Sequence, residues 1–332
     1  MRAMILEHPA PVATRPLRAV DVPDPEPAAG EIRLRVRACG ICRTDLHVVE
    51  GDLPPVRSPL VPGHQAVGIV DRVGSGASRF RPGERAGIAW LRSTDGTCEY
   101  CRAGAENLCP LSRYTGYHED GGYAELAVVP EAFAYRIPDT FGDAEATPLL
   151  CAGIIGYRAL RRSEVPPGGR LGIFGFGSSA HVTIQVARHR GCEVFVSTRG
   201  ESHRRLARDL GAVWAGEANE IPPEPLDGAI LFAPAGELVL PALRSLRRGG
   251  TLAVAGIHLT PIPPMTYQEH LFHEKRLTSV EANTRADGEE LLREAAEIPI
   301  RPKTRSFRLE EAGEALVTLK RDGIDGTGVL VL

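Results

Sequence analysis

A glycine-rich turn between a buried strand and a helix is the feature that most limits how this chain can fold. Residues 170–175 have the apolar pattern of a buried strand, and residues 178–190 have that of a helix. The turn Gly175-Phe176-Gly177-Ser178-Ser179-Ala180 joins them. Strand and helix patterns continue to alternate downstream, at residues 193–197, 202–210, 229–233 and 251–256. This alternation indicates parallel βαβ units, so we predict an α/β protein with a doubly wound parallel sheet.

The same turn predicts a ligand. Its glycines allow a tight bend and a close approach of the backbone, and the helix that follows presents its N-terminus to a pyrophosphate. We therefore expect Gly175, Gly177, Ser178 and Ala180 to bind a dinucleotide. An ordinary strand–helix turn is the alternative.

The first 150 residues have a different pattern of residue types. Residues 32–38 alternate apolar and charged side chains, and residues 66–74 form a second strand pattern. Clusters of glycine and proline separate such strands. We predict a β-rich domain over residues 1–150, a dinucleotide-binding domain over 151–286, and a return to the first domain over 287–332.

Composition excludes several classes of function. The 332 residues carry a formal net charge of −3, so no overall basic field favours nucleic acid. No apolar run approaches the roughly 20 residues that span a bilayer, and the N-terminal residues lack the features of a signal peptide. The seven cysteines are an odd number, which argues against a disulfide framework. We expect a cytoplasmic protein with no nucleic-acid or membrane partner.

Three short runs supply ligands for one metal ion: Cys42, His64 and Cys151. Two thiolates and one imidazole leave one corner of a zinc tetrahedron for a substrate, as in catalytic zinc sites. Taken singly, His64 could be a core histidine and Cys151 a buried apolar residue. Cys39 and Cys42 could form a redox pair, but their context lacks the βαβ pattern expected of one.

With these motifs, the chain resembles a zinc-dependent alcohol dehydrogenase of the medium-chain dehydrogenase/reductase family over essentially its whole length. The resemblance implies a β-rich GroES-like catalytic domain and a doubly wound Rossmann domain. It matches Cys42, His64 and Cys151 to the three ligands of the catalytic zinc. A departure follows the histidine ligand, where the family usually has glutamate and this chain has Gln65.

The resemblance also assigns roles to neighbours of Cys42. Thr44 would bond the substrate hydroxyl and accept its proton, and His47 would pass that proton outward. Asp45 would orient the imidazole of His64, although a turn or capping carboxylate is the alternative. Arg43 would contact the pyrophosphate; otherwise it is a solvated surface charge.

A second metal site is predicted between residues 92 and 112. The family's structural zinc lobe has four cysteines at the spacing of Asp95, Cys98, Cys101 and Cys109, so here an aspartate replaces the first. Aspartate is a legitimate zinc ligand, so we expect two zinc ions per chain. The alternative is a lobe that has lost its metal, with Asp95 as a turn residue.

The choice of cofactor depends on the end of the second strand of the parallel sheet. NAD sites have a carboxylate there, whereas this chain has Thr198 and Arg199. We predict that both bind a 2′-phosphate, so that NADP(H) is favoured over NAD(H), with His203, Arg204 and Arg205 as possible helpers and Glu201 opposing them. The alternative is a solvated arginine face with no preference. Further along, Gly256 and Ile257 follow a strand where the family's backbone meets the nicotinamide.

The expected substrate is a small-molecule alcohol or aldehyde. Trp90, Leu91, Tyr117 and His118 lie in segments that line the family's alcohol pocket, and their character suits aliphatic or benzylic compounds. Two alternatives are a zinc-independent quinone or enone reductase of the same fold and a non-enzymatic nucleotide-binding protein. The family also implies a homodimer or homotetramer.

Overall fold

The computed structural model describes residues 1–298 and 300–332. The strands in these residues are β1 Arg2–Leu6, β2 Leu17–Asp21, β3 Glu31–Ile41, β4 Gln65–Val73, β5 Arg85–Ile88, β6 Leu91–Ser93, β7 Arg113–Tyr114, β8 Leu126–Pro130, β9 Ala134–Arg136, β10 Arg170–Phe174, β11 Glu193–Ser197, β12 Trp214–Gly216, β13 Leu226–Leu231, β14 Leu246–Val254, β15 Arg276–Ser279, β16 Thr304–Arg308 and β17 Thr327–Val331. The α-helices are α1 Arg43–Glu50, α2 Glu99–Arg102, α3 Asp143–Ala146, α4 Ala152–Arg162, α5 Ser178–His189, α6 Glu201–Asp209, α7 Val239–Ser245, α8 Tyr267–His270, α9 Arg285–Glu297 and α10 Ala312–Lys320.

The chain divides into two compact units. The first contains Met1–Cys151, Thr284–Arg293 and Pro302–Leu332, and the second contains Ala152–Asn283 and Glu294–Arg301. The division falls inside α9, and residues 294–301 group with the second unit, whereas the sequence assigned all of 287–332 to the first. Each unit has its own sheet.

The first unit is built on a seven-stranded sheet with the order β16-β17-β3-β4-β5-β9, and β8 also pairs with β3. In β3, the apolar side chains Ile32, Leu34 and Val36 are buried, whereas Arg35 and Arg37 are exposed, as the alternating pattern predicted. Arg33 departs from that pattern: it is only 4% exposed and pairs with Asp71 at 2.9 Å. β3 and β4 are antiparallel, and Gly40 pairs with Gln65. The end of β3 therefore lies beside the start of β4, which brings the residues after one and before the other together.

The second unit contains a six-stranded sheet with the order β12-β11-β10-β13-β14-β15, in which every pair of neighbours is parallel. This is the doubly wound order, and its chain reverses direction across the sheet between β10 and β13. The predicted parallel α/β sheet is confirmed. No helix in the described ranges is both long and apolar enough to cross a membrane.

Candidate active site

Helix α1 fixes the first predicted ligand and its neighbours. Cys42 caps the helix: its Sγ accepts a hydrogen bond from the Thr44 backbone N–H at 3.2 Å. The Cys42 backbone N–H in turn donates to Asp45 Oδ2 at 2.9 Å. This reciprocal capping box satisfies two backbone donors at the helix start and holds Asp45 beneath Cys42.

Asp45 connects this helix start to the second ligand. Its Oδ1 lies 2.9 Å from His64 Nδ1, and both side chains are buried. A buried carboxylate on Nδ1 fixes the orientation of the ring and directs Nε2 the other way. Nε2 lies 3.2 Å from Cys151 Sγ. The Asp45 role that the family resemblance implied therefore has a geometric basis in the structure.

The three predicted ligand atoms converge. Those of Cys42, His64 and Cys151 all lie within 4.8 Å of one another, and the two sulfurs are 3.9 Å apart. Zinc bond lengths of about 2.3 Å to sulfur and 2.0–2.1 Å to nitrogen place tetrahedral ligand atoms about 3.6–3.8 Å apart. The cluster therefore has the size of a zinc tetrahedron with three protein corners.

The members of this cluster shift one another's pKa values. The Cys151 thiol donates to Cys42, which lowers the pKa of Cys42 well below its ordinary value and raises that of Cys151. Burial opposes a charged His64, but the Asp45 carboxylate and the Cys42 thiolate outweigh it and raise the pKa of His64 to about 10. A metal ion would have to displace these protons, because zinc binds thiolate and neutral imidazole.

Several glycines pack closely around the loop before His64, and they were not identified from the sequence. Gly63 has φ +95, and a Cβ on it would lie 2.3 Å from the ring of Tyr123. A Cβ on Gly121 would lie 1.9 Å from the Gly63 carbonyl oxygen, and one on Gly116 would lie 2.8 Å from the Gly63 nitrogen. The Gly63 carbonyl also accepts the Gly122 N–H at 2.8 Å. Only glycine permits so close an approach of backbones.

Gln65, the departure from the family pattern, lies directly after His64. Its side chain crosses over Gly40 and is completely buried, and neither its Oε1 nor its Nε2 has a hydrogen-bond partner among residues 1–298 and 300–332.

The other residues that the resemblance assigned on α1 lie in different surroundings. Thr44 and His47 are three residues apart on this helix, so their side chains share one face. Arg43 is paired with Asp322 of the same unit. The pairing places a carboxylate on the guanidinium that was predicted to contact a pyrophosphate.

A stack of aromatic rings, Trp90, Tyr114, Tyr117 and His118, stands beside the cluster; we call it the aromatic wall. Trp90 stacks on Tyr114 at 4.8 Å and on Tyr117 at 6.0 Å between ring centroids, and it meets His64 edge-on at 5.0 Å. Tyr117 meets His118 at 4.7 Å. Leu91, which was predicted to line the same pocket, is only 1% exposed and belongs to the core.

The second predicted metal cluster also assembles. The ligand atoms of Asp95, Cys98, Cys101 and Cys109 all lie within 4.8 Å of one another. Asp95 Oδ1 accepts the backbone N–H groups of Cys98 and Thr97 at 2.9 and 2.8 Å, and these bonds lower the pKa of Asp95 to about 2. The carboxylate is thus a turn residue and a member of the cluster at once.

In the second unit, the glycine-rich turn follows β10 and opens α5. Gly175 has φ +91, and a Cβ there would press on Ala233 at 2.8–2.9 Å. A Cβ on Gly177, by contrast, would meet nothing within 4 Å, and no side chain caps the helix start. Open space therefore lies beside Gly177 at the N-terminus of α5, as a phosphate cradle requires, and Ser178 and Ala180 lie in the first turn of this helix.

Thr198 and Arg199 follow β11 at the same edge of the sheet. The Thr198 hydroxyl is buried and accepts the Phe176 N–H at 3.2 Å, which ties the second strand to the glycine-rich turn. Arg199 is exposed. Arg204, a predicted helper, is paired with Glu201 at 2.9 Å and with Glu217 at 2.6 Å. Gly256 and the half-exposed Ile257 follow β14 at this edge as well.

Known proteins of one family resemble this chain throughout. The alcohol dehydrogenase GroES-like domain model matches residues 28–139, and the zinc-binding dehydrogenase model matches residues 180–297. A "probable alcohol dehydrogenase AdhA" of Mycobacterium tuberculosis is 54% identical, with 100% of this chain and 97% of that protein covered. An alcohol dehydrogenase of Geobacillus stearothermophilus is 36% identical, with 95% and 96% covered. The chain belongs to the zinc-dependent alcohol dehydrogenase family.

Solved structures agree. A cinnamyl alcohol dehydrogenase of Sorghum bicolor superposes with a TM-score of 0.89 at 26% identity, covering 99% of this chain and 97% of that one. A Sinorhizobium meliloti protein solved with bound NADP gives 0.86 at 27%, with 100% and 99% covered. The predicted family, fold class and enzyme class are confirmed: this is an oxidoreductase that transfers hydride between an alcohol or aldehyde and a nicotinamide cofactor.

Proposed function

We propose that Cys42, His64 and Cys151 hold the catalytic zinc of this dehydrogenase. The separations of 3.2 and 3.9 Å between their ligand atoms support the assignment, as does the buried Asp45 that fixes the His64 ring. Zinc bound there would act as a Lewis acid on the oxygen of the alcohol or aldehyde. With three protein ligands, the fourth position belongs to the substrate.

The side chains around the cluster would then handle the proton. Thr44, two residues after Cys42, accepts the proton of the substrate hydroxyl and passes its own to His47 on the same helix face. His47 releases it to solvent. Asp45 keeps His64 Nε2 directed at the cluster. Gln65 is a neutral amide and would not supply an anionic oxygen to the metal.

The aromatic wall supports a substrate class. Flat rings stacked beside His64 favour aliphatic or benzylic groups over charged polyols, because apolar surface gains by leaving water and aromatic pairs gain further by stacking. We propose small aliphatic or benzylic alcohols and aldehydes as substrates. A panel of alcohols read by coenzyme reduction tests this, and polyols turned over best would contradict it.

We propose NADP(H) as the favoured cofactor, supported by the exposed Arg199 and by the lack of a carboxylate at the end of β11. An arginine fork binds a 2′-phosphate by charge-assisted hydrogen bonds. The test is Arg199→Ala, with Arg244→Ala, an exposed arginine paired with Glu269, as the control. We expect the KM for NADP to rise and that for NAD to stay constant. Unchanged Michaelis constants for both cofactors would show the assignment to be wrong.

We also propose that Asp95, Cys98, Cys101 and Cys109 bind a second, structural zinc. Cys101→Ser should lower the metal content by one ion per chain and reduce thermal stability, while the remaining folded enzyme keeps its kcat. One zinc per chain in the unmodified protein, with no change after Cys101→Ser, would contradict this. We also propose a cytoplasmic location, which the lack of disulfides among the seven described cysteines supports. As the assembly we propose a homodimer or homotetramer, which ultracentrifugation tests.

One assay tests the proposed function as a whole. Zinc content and the alcohol-dependent reduction of NADP and NAD are measured before and after chelation. We expect activity to fall with the loss of zinc and to return when zinc is restored. Activity that survives complete removal of zinc would favour the zinc-independent reductase, and nucleotide binding without turnover would favour the non-enzymatic alternative.

A further inference from the structure

The end of helix α1 carries a side-chain pair between His47 and Asp52. His47 Nδ1 lies 2.8 Å from Asp52 Oδ2. The histidine side chain is 18% exposed and the aspartate 57%, so the pair lies at the edge of the protein with its carboxylate in solvent. A proton leaving the interior through His47 would pass such a pair last.

The local sequence builds this pair. Gly51 ends α1 in the left-handed conformation, at φ +82, which favours glycine. The N–H groups of Gly51 and Leu53 both donate to the His47 carbonyl, at 3.0 and 3.4 Å. The chain thus folds back on the last helical turn and brings residue 52 beside residue 47.

The other carboxylate at this end of the helix is committed elsewhere. Glu50 is paired with Lys320 at 2.7 Å and accepts the Val12 N–H at 2.9 Å. Asp52 is therefore the carboxylate that acts on the histidine.

We propose that Asp52 is a positioning residue for His47 as the proton carrier of the alcohol dehydrogenase reaction. The inference rests on the proposed function, in which His47 takes the proton from Thr44. A carboxylate on Nδ1 keeps a proton on that nitrogen, so Nε2 is the one that accepts another. In each turnover Nε2 gains one proton and the ring loses one to solvent. The Asp52 carboxylate stabilises the imidazolium in between, as the aspartate does in a catalytic triad.

The test is a double-mutant cycle with His47→Gln, Asp52→Asn and the combined variant. Asp21→Asn, an exposed aspartate of the same unit paired with Arg2, is the control. The readouts are the pre-steady-state rate of coenzyme reduction, kcat, the KM for alcohol, and the solvent deuterium isotope effect. Far-UV circular dichroism and thermal melts check that each variant folds.

We expect Asp52→Asn to slow the pre-steady-state rate about 3- to 10-fold, an effect of one exposed charge-assisted hydrogen bond. The KM for alcohol should stay unchanged, and the solvent deuterium isotope effect should increase. In the His47→Gln background, Asp52→Asn should cause no further loss of rate. An unchanged rate, or the same fold-loss with and without His47, would overturn the proposal while leaving the relay in place. A His47→Gln variant at the full rate would remove the relay itself, and the role of Asp52 with it.

Discussion

Replacing Gly121 by alanine should weaken zinc binding at the catalytic cluster without touching any ligand. The new Cβ would lie 1.9 Å from the Gly63 carbonyl oxygen and 2.7 Å from that of Pro62, whereas ordinary contact begins at 3.4 Å. The backbones must therefore separate by about 1.5 Å, and Gly63 directly precedes His64. Metal sites tolerate deviations of only about 0.2 Å in ligand distance.

The expected size follows from this displacement. Changes to groups that orient a metal ligand cost about 10- to 100-fold in metal affinity, which corresponds to about 1.4–2.8 kcal/mol. Gly121 does not have a positive φ, so the cost comes from the contact with Gly63 and not from backbone strain.

Competition with a chromophoric zinc chelator measures the affinity, and the absorption spectrum of the Co²⁺-substituted protein reports the geometry of the site. The control is Gly76→Ala, because a Cβ on Gly76 meets nothing within 4 Å. Gly76→Ala should lower the free energy of unfolding, because alanine is strained at a φ of +77, and it should leave the zinc affinity unchanged. Gly121→Ala with the zinc affinity and Co²⁺ spectrum of the parent protein would refute the claim that this glycine positions His64.

Three further predictions concern Asp45, Trp90 and Glu106. Asp45→Asn removes the carboxylate on His64 Nδ1, and we expect chelator competition to show zinc affinity about 10- to 100-fold weaker. Trp90→Ala opens the aromatic wall, so kcat/KM should fall more for benzyl alcohol than for ethanol; an equal fall would contradict the substrate assignment. Glu106 accepts three hydrogen bonds from Arg285 at 2.8–3.0 Å. Glu106→Gln removes the negative charge and replaces one acceptor oxygen by an NH2 donor, and it should cost about 2 kcal/mol in urea unfolding. The exposed Glu289→Gln is its control, at under about 0.5 kcal/mol. Burial raises the pKa of Glu106, but Arg285 outweighs it and the net shift is downward. The stabilisation should therefore be present above the ordinary glutamate pKa and be lost as pH falls through the lowered one; a difference between Glu106→Gln and the parent that persists in acid would contradict this.

Residue type was enough to predict that Cys42, His64 and Cys151 cluster, and the strand–helix pattern was enough to predict the parallel sheet, whereas the cluster of Asp95, Cys98, Cys101 and Cys109 was predicted from the family resemblance. Cysteine and histidine have few other uses at such spacing, and strand–helix alternation fixes the direction of neighbouring strands. The antiparallel pairing of β3 with β4 then explains why Cys42 and His64, far apart in sequence, meet.

Contacts between residues that meet only in the folded structure could not be predicted from the sequence in the same way. Gly121 does not have a positive φ, so only its close contact with the Gly63 carbonyl shows why glycine is needed there. Arg43 and Arg204, which stay predicted as contacts for cofactor phosphates, each also pair with a carboxylate, Asp322 and Glu217 respectively. Periodicity and motifs carry no signal for such ion pairs.

The central claim is that Cys42, His64 and Cys151 share one zinc ion and leave its fourth position to the substrate. Anomalous diffraction from crystals of the zinc-loaded protein, measured at the zinc absorption edge, tests it most directly. We expect a peak about 2.3 Å from both sulfurs and about 2.0–2.1 Å from His64 Nε2, with no fourth protein ligand. Zinc-loaded crystals with no peak among these three atoms, or with a fourth side chain closing the tetrahedron, would contradict the account.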